Sequence, residues 1–224
     1  MKWRMRKLQV VAIVLPLMLM LGQAVSNIAQ ATHTPRAYAV VRLTDTNYTG
    51  VVARIDWSNP SIRDSAYGFS AEVLWIGEAN THANYIEVGW RRTSGSSNRL
   101  YWGYVDAGGQ WHGPNWLGAD TRAHWFRIEH NASDNRWHVY VDNQHRGSAS
   151  LGVSSGSIDA GGEVTDLSST QHNAMGRAGF LDLGYKRNYQ GYYRWNGWNE
   201  VYRDYSYQLR GLGSDAFQND GYNP

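Results

Sequence analysis

Two glutamates stand out by their surroundings. Glu87 lies in Asn84-Tyr-Ile-Glu-Val-Gly-Trp90, where alternation puts Ile86, Val88 and Trp90 on an apolar face. Glu87 then shares the opposite face with Tyr85 and Gly89. Glu163 lies in Ser157-Ile-Asp-Ala-Gly-Gly-Glu-Val164. Glycine weakens a strand, so Gly161-Gly162 before a carboxylate asks for a bulge or a close backbone approach. The chemistry open to such side chains is proton transfer. A strand glutamate is ordinarily a solvated surface residue, so context alone makes neither one catalytic.

Other chemistries can be searched for and are missing. There is no Gly-x-Ser-x-Gly elbow, no His-Glu-x-x-His and no phosphate-binding Gly-Lys-Ser/Thr loop. The chain has no Cys, which excludes disulfides, a cysteine nucleophile and Cys-ligated zinc. The eight His are scattered. His124 and His130 share a strand face but read as surface or groove side chains rather than ligands. No metal and no cofactor is expected.

The elements that must position the glutamates are strands. Among 224 residues there are 24 Gly, 11 Trp and 15 Tyr, a composition that favours short strands joined by tight turns over a helical bundle. Strands are expected at 37–43, 50–57, 67–76, 84–92, 99–105, 122–130, 136–142, 158–165, 178–185 and 200–209. Polar clusters such as Ser94-Gly-Ser-Ser-Asn98 and Asn131-Ala-Ser-Asp-Asn135 suit hairpins, and Tyr189–Trp198 reads as an aromatic loop. No helical periodicity appears outside the N-terminus. The expected fold is all-β, a single-domain antiparallel two-sheet sandwich of the jelly-roll or concanavalin-like kind. Along 123–130 and 136–141 one face is apolar; the other carries Trp125, Arg127, His138 and Tyr140, a lining suited to an extended ligand.

The N-terminus is of another kind. Lys2, Arg4, Arg6 and Lys7 precede twelve apolar residues, Val10–Leu21, and a small-residue site at Ala29-Gln-Ala31. That order is a secretory signal peptide, residues 1–31, and the apolar run is short for a membrane span. The expected product is residues 32–224, secreted or periplasmic, off the membrane and monomeric. The leader holds four of the 21 basic residues and none of the 19 acidic ones, so the remainder carries 17 against 19, a net charge of −2. With no basic stripe left, nucleic acid is not an expected partner.

Several short segments resemble, in order, those of the neprosin family of glutamic peptidases. Val52-Ala-Arg-Ile-Asp-Trp-Ser-Asn-Pro60 looks like the family's entry strand, and Phe69-Ser-Ala-Glu-Val-Leu-Trp-Ile76 is similar to the strand after it. Asn84–Trp90 looks like its Ser-Ile-Glu-Ala-Gly-Trp, and Arg99-Leu-Tyr-Trp-Gly-Tyr-Val105 resembles its Tyr/Trp-rich strand. Gly161-Gly-Glu-Val164 is similar to its Trp-Gly-Gly-Glu-Val, and His172-Asn-Ala-Met-Gly176 to its His-Thr…Met-Gly. The resemblance implies a seven-stranded-sheet sandwich and a catalytic pair at Glu87 and Glu163. Two carboxylates sharing a site cannot both ionise easily, so a singly protonated pair can activate water and protonate an amine. The implied activity is acid endopeptidase action on an extended polypeptide. Tyr85, Trp75, Trp102, Tyr104, Trp125 and Tyr140 are the expected groove residues. The family's disulfide and the Trp before its Gly-Gly are absent, so its preference for proline is not carried over. The alternative is a non-catalytic secreted module that binds carbohydrate or peptide through Trp and Tyr platforms.

Overall fold

Alternating apolar positions every 8–12 residues leave the chain one way to bury its surface, by laying strand faces against each other. In the computed structural model, residues 36–57, 60–62, 68–78, 83–168, 171–204 and 207–221 are described. The leader 1–31 lies outside them. All belong to the unit Thr34–Pro224.

The first strand, β1 (Arg36–Trp57), organises both layers. Its first half, Arg36–Leu43, pairs with β9 (Gly156–Ser168), and Ala39–Arg42 also pairs with β13 (Glu200–Arg203). Its second half pairs with β6 (His124–Asn131) and β11 (Ala178–Arg187). The ladder to β9 breaks between Leu43 and Tyr48, where the strand passes from one layer to the other. The two strands expected at 37–43 and 50–57 are therefore one.

Layer one runs β13, β1, β9, β2 (Phe69–Gly77), β3 (Tyr85–Thr93), β4 (Arg99–Val105), β5 (Trp111–Ala119), with the short β10 (Gln171–His172) on β9. Layer two runs from β11 through β1 and β6 to β7 (Arg136–Val141) and β8 (Gln144–Ala149). On its other side β11 pairs with β12 (Tyr192–Arg194) and with β15 (Ala216–Asp220), which in turn pairs with β14 (Gln208–Gly213). Every pairing is antiparallel, and no helix occurs among the described residues. The sequence reading misses β5, broken up by Pro114 and two glycines, as well as β8 and β15. It takes β12 for loop and runs β13 and β14 together.

Between the layers, Leu74, Ile76, Ile86, Val88 and Trp102 meet Phe126, Ile128, Val139 and Phe180, all buried. Trp90 is the keystone of this core. It is fully buried, stacked on Trp57 at 5.6 Å and edge-on to Phe126 at 6.2 Å. Trp90→Ala is expected to cost about 3–5 kcal/mol by equilibrium denaturation, the usual loss for a buried large aromatic.

Candidate active site

The other side of layer one has a second, smaller core: Val40, Phe69, Ala71, Val73, Trp75 and Tyr101, with Tyr38, Tyr85 and Trp116 packed against it. The register lays this face out in rows across the strands. One row reads Tyr38, Glu163, Ala71, Arg91, Arg99. The next reads Val40, Gly161, Val73, Gly89, Tyr101, Trp116. The third reads Arg42, Asp159, Trp75, Glu87, Gly103. Glu163 and Glu87 thus flank β2 on one face, on a diagonal over the small middle row.

The glycines before Glu163 serve close approach, not a bulge, since the ladders to β1 and β2 run unbroken through them. Gly161 has φ +151°, and a Cβ there would strike the Ala39 carbonyl oxygen. A Cβ at Gly162 would run into Met175 and Asn219.

Both carboxyls are nearly buried, Glu87 at 3% and Glu163 at 4% exposure. Glu87 accepts hydrogen bonds from the Trp75 indole at 2.7 Å and the Tyr101 hydroxyl at 2.6 Å. Glu163 is held from β1: Arg36 donates to its Oε1 at 2.6 Å and the Tyr38 hydroxyl at 3.1 Å. Burial, and after it the charge of Glu163, push the Glu87 carboxyl up to about 7. The two donors and the nearby Arg91 pull the other way and do not win. Burial and the two glutamates also raise the Tyr85 phenol, keeping it a neutral donor. Tyr101→Phe removes a hydrogen bond that favours the ionised form of Glu87. By 13C NMR titration of Glu87, its midpoint is expected to move upward by roughly one pH unit, the worth of one such bond.

Four of the eight expected site residues come together here: Glu87, Glu163, Trp75 and Tyr85. The other four do not. Trp102 and Tyr104 oppose Val88 and Ile86, so they pack against the core between the layers, stacked on each other at 6.0 Å. Trp125, 41% exposed, and Tyr140, under Arg127 at 3.8 Å, lie on the outer side of layer two. That face is real but belongs to a different surface. His124 and His130 are neither surface nor groove residues; both are buried, His124 against Asp142 at 2.6 Å and His130 edge-on to Trp137.

The residues missed are Arg36, Tyr38, Tyr101, Arg91 and Trp111. The Trp111 ring lies against Gly103, directly across from Glu87, where any Cβ would collide with it. A signal for Tyr101 was present. The β3–β4 hairpin is symmetric about Gly95, which takes φ +70° in the turn, so Glu87 must oppose Gly103 and share a face with Tyr101, not Trp102. A third strand glutamate, Glu72, faces the other way and is buried against Asn219 at 2.5 Å.

Among the described residues no group of three or more His, Cys, Asp or Glu could hold a metal ion. A cavity of about 820 Å³, lined by Trp57, Arg92, Asn98 and Asp120, touches neither glutamate. The glutamate site is a sheet face that suits an extended chain, not a closed pocket.

No protein-family profile and no curated protein matches the chain. Solved structures do. Scytalido-glutamic peptidase, in complex with a peptide-based transition-state analogue, is similar at 10% identity and a TM-score of 0.50, over 85% of this chain and 99% of that one. SCP-B, a member of the eqolisin family of peptidases bound to the tripeptide Ala-Ile-His, is similar at 9% identity and a TM-score of 0.51, with the same coverage. The fold is the one these glutamic peptidases have. A Bacillus licheniformis β-glucanase is more distant, with a TM-score of 0.45 over 66% of this chain.

Proposed function

We propose that this chain is an exported glutamic endopeptidase that hydrolyses peptide bonds with water activated between Glu87 and Glu163. The observation that carries the reading is an asymmetric pair of buried carboxyls on one sheet face: Glu163 salt-bridged by Arg36, Glu87 pushed up to about 7. Asymmetry of this kind separates a base from an acid.

Glu163, its charge matched by Arg36, takes a proton from water as the water oxygen attacks the peptide carbon. Glu87, still protonated in acid and near neutrality, donates to the carbonyl oxygen as negative charge develops there, and the Tyr85 hydroxyl supplies a second hydrogen bond. The proton held by Glu163 then passes to the departing amine as the C–N bond breaks, and the Glu87 carboxylate takes back its proton from the oxygen as the carbonyl re-forms. Trp75 and Tyr101 fix the Glu87 carboxyl so that it need not reorganise during the reaction.

The test uses residues 32–224 with denatured casein from pH 3 to 9. Cleavage is expected in acid and declines as pH rises through about 7, where Glu87 loses its proton. Glu163→Gln is expected to lose roughly 10²–10⁴-fold in rate, the usual contribution of a general base. Wild-type protein no more active than Glu163→Gln at every pH defeats the reading.

A further inference from the structure

Arg91 and Arg99 sit directly opposite each other on β3 and β4, on the same face as the glutamates. Like charges opposed in an antiparallel ladder are destabilising, so such a pair ordinarily has a compensating carboxylate. Within the row the next positions outward are Ala71 on β2 and Ala119 on β5; the carboxyl that feels the Arg91 charge, Glu87, lies off the row on β3 and makes no ion pair with it. Among the described residues neither guanidinium makes an ion pair or a hydrogen bond with a side chain or backbone. Their contacts are aromatic. Arg91 lies over Phe69 at 3.9 Å and near Tyr101 at 5.7 Å; Arg99 lies over Trp116 at 4.5 Å. The Arg91 Nε–H is buried with no acceptor, a cost that a bound acceptor would remove.

These rings hold the two cations in place without neutralising them, leaving their planar donor forks available. A carboxylate is the group that matches two such forks. We infer that Arg91 and Arg99 form a subsite for a carboxylate of the bound peptide, an extension that rests on the peptidase reading. The row geometry sets its place. Glu163 is two strands from Arg91, about 10 Å, which is the span of about three extended residues. The carboxylate comes from an acidic side chain about two to four residues from the cleaved bond, or from the end of a short peptide.

The experiment separates binding from turnover. In the Glu163→Gln background, fluorescence polarisation compares a labelled decapeptide carrying one Glu with its Gln twin, each with a free and an amidated C-terminus. The expected result is at least tenfold tighter binding of one carboxylate form, weakening with salt. Loss with the Gln twin identifies the side chain as the source; loss on amidation identifies the chain end. Arg99→Gln, which gives up the stacking on Trp116, is expected to bring all forms to one affinity, while Arg99→Lys retains part of the preference. Equal affinities for every form before any Arg is changed overturn the subsite. With wild-type enzyme, cleavage of a mixed peptide library is expected to show Asp or Glu enriched on one side of the cut, and Arg99→Gln to flatten it. If nothing is cleaved the peptidase reading fails, and the polarisation result still decides the subsite.

Discussion

Glu87→Gln is expected to give a protein that is more stable than wild type at pH 8 and almost inactive at every pH. Both effects follow from one proton. The folded carboxyl holds its proton up to about 7, against an ordinary 4.5 once the chain unfolds. Between those values the folded state binds more protons than the unfolded state, so stability falls as pH rises. Above about pH 7 the whole penalty is present, about 3 kcal/mol at 1.36 kcal/mol per pH unit. Glutamine has the shape of the protonated acid and does not titrate. Its carbonyl accepts from Trp75, and its amide can donate to the Tyr101 oxygen. The variant therefore escapes the penalty, and its melting temperature at pH 8 is expected to rise by about 6–12 °C, given about 2–4 °C per kcal/mol for a domain of this size. At pH 4 the two proteins are expected to melt together. The rate is expected to fall roughly 10²–10⁴-fold, since an amide cannot deliver the acid's proton. Paired melting curves at pH 4 and pH 8 check the first effect, and casein hydrolysis the second. A variant less stable than wild type at pH 8 would show that Glu87 is ionised without cost.

Gly161→Ala is expected to damage the site without touching a carboxyl. At φ +151° a side chain is strained, and the new methyl would meet the Ala39 carbonyl and the Val40 backbone rather than a side chain able to swing aside. Backbone strain and overpacking together are expected to cost about 3–5 kcal/mol. Relief comes only if β9 moves off β1, and that shift carries Glu163 away from Arg36 and Tyr38. Activity should fall with stability, in contrast to Glu87→Gln, where the two part. Gly179→Ala is the control: its methyl would touch nothing nearer than the Asp56 Cβ at 3.9 Å, and the melting temperature is expected to stay within about 2 °C.

How much of this was legible in the sequence depends on the range of the interaction. Alternation is local, so it places Glu87 with Tyr85 and Gly89, and the facing of His124, Phe126 and Ile128 is equally plain. Whether a strand's aromatic face turns to the glutamates or to the core is a matter of partner and register. Trp102 and Tyr104 look as suitable as Tyr101 until Gly103 is set opposite Glu87. Trp125 and Tyr140 fail for another reason, since a two-layer fold has two outer faces and composition cannot say which one an aromatic lines. Arg36 and Tyr38 lie more than 120 residues from Glu163, and no pattern within a strand reports a contact of that kind. Of the strands lost to sight, β5 is an edge strand broken up by Gly113, Pro114 and Gly118, and β12 is only three exposed residues long, too short to show alternation.

The passage of β1 from one layer to the other has a consequence for the order of folding. Among the described strands β1 comes first in the chain, whereas its partners in layer one, β9 and β13, and its neighbour β11 in layer two, lie more than 100 residues further on. Hairpins such as β3–β4 and β6–β7 can form early, yet neither sheet can close until residues beyond 200 have been made. Contacts of such sequence separation fold slowly. The two layers are therefore completed together, by the strands that join β1 from the far half of the chain.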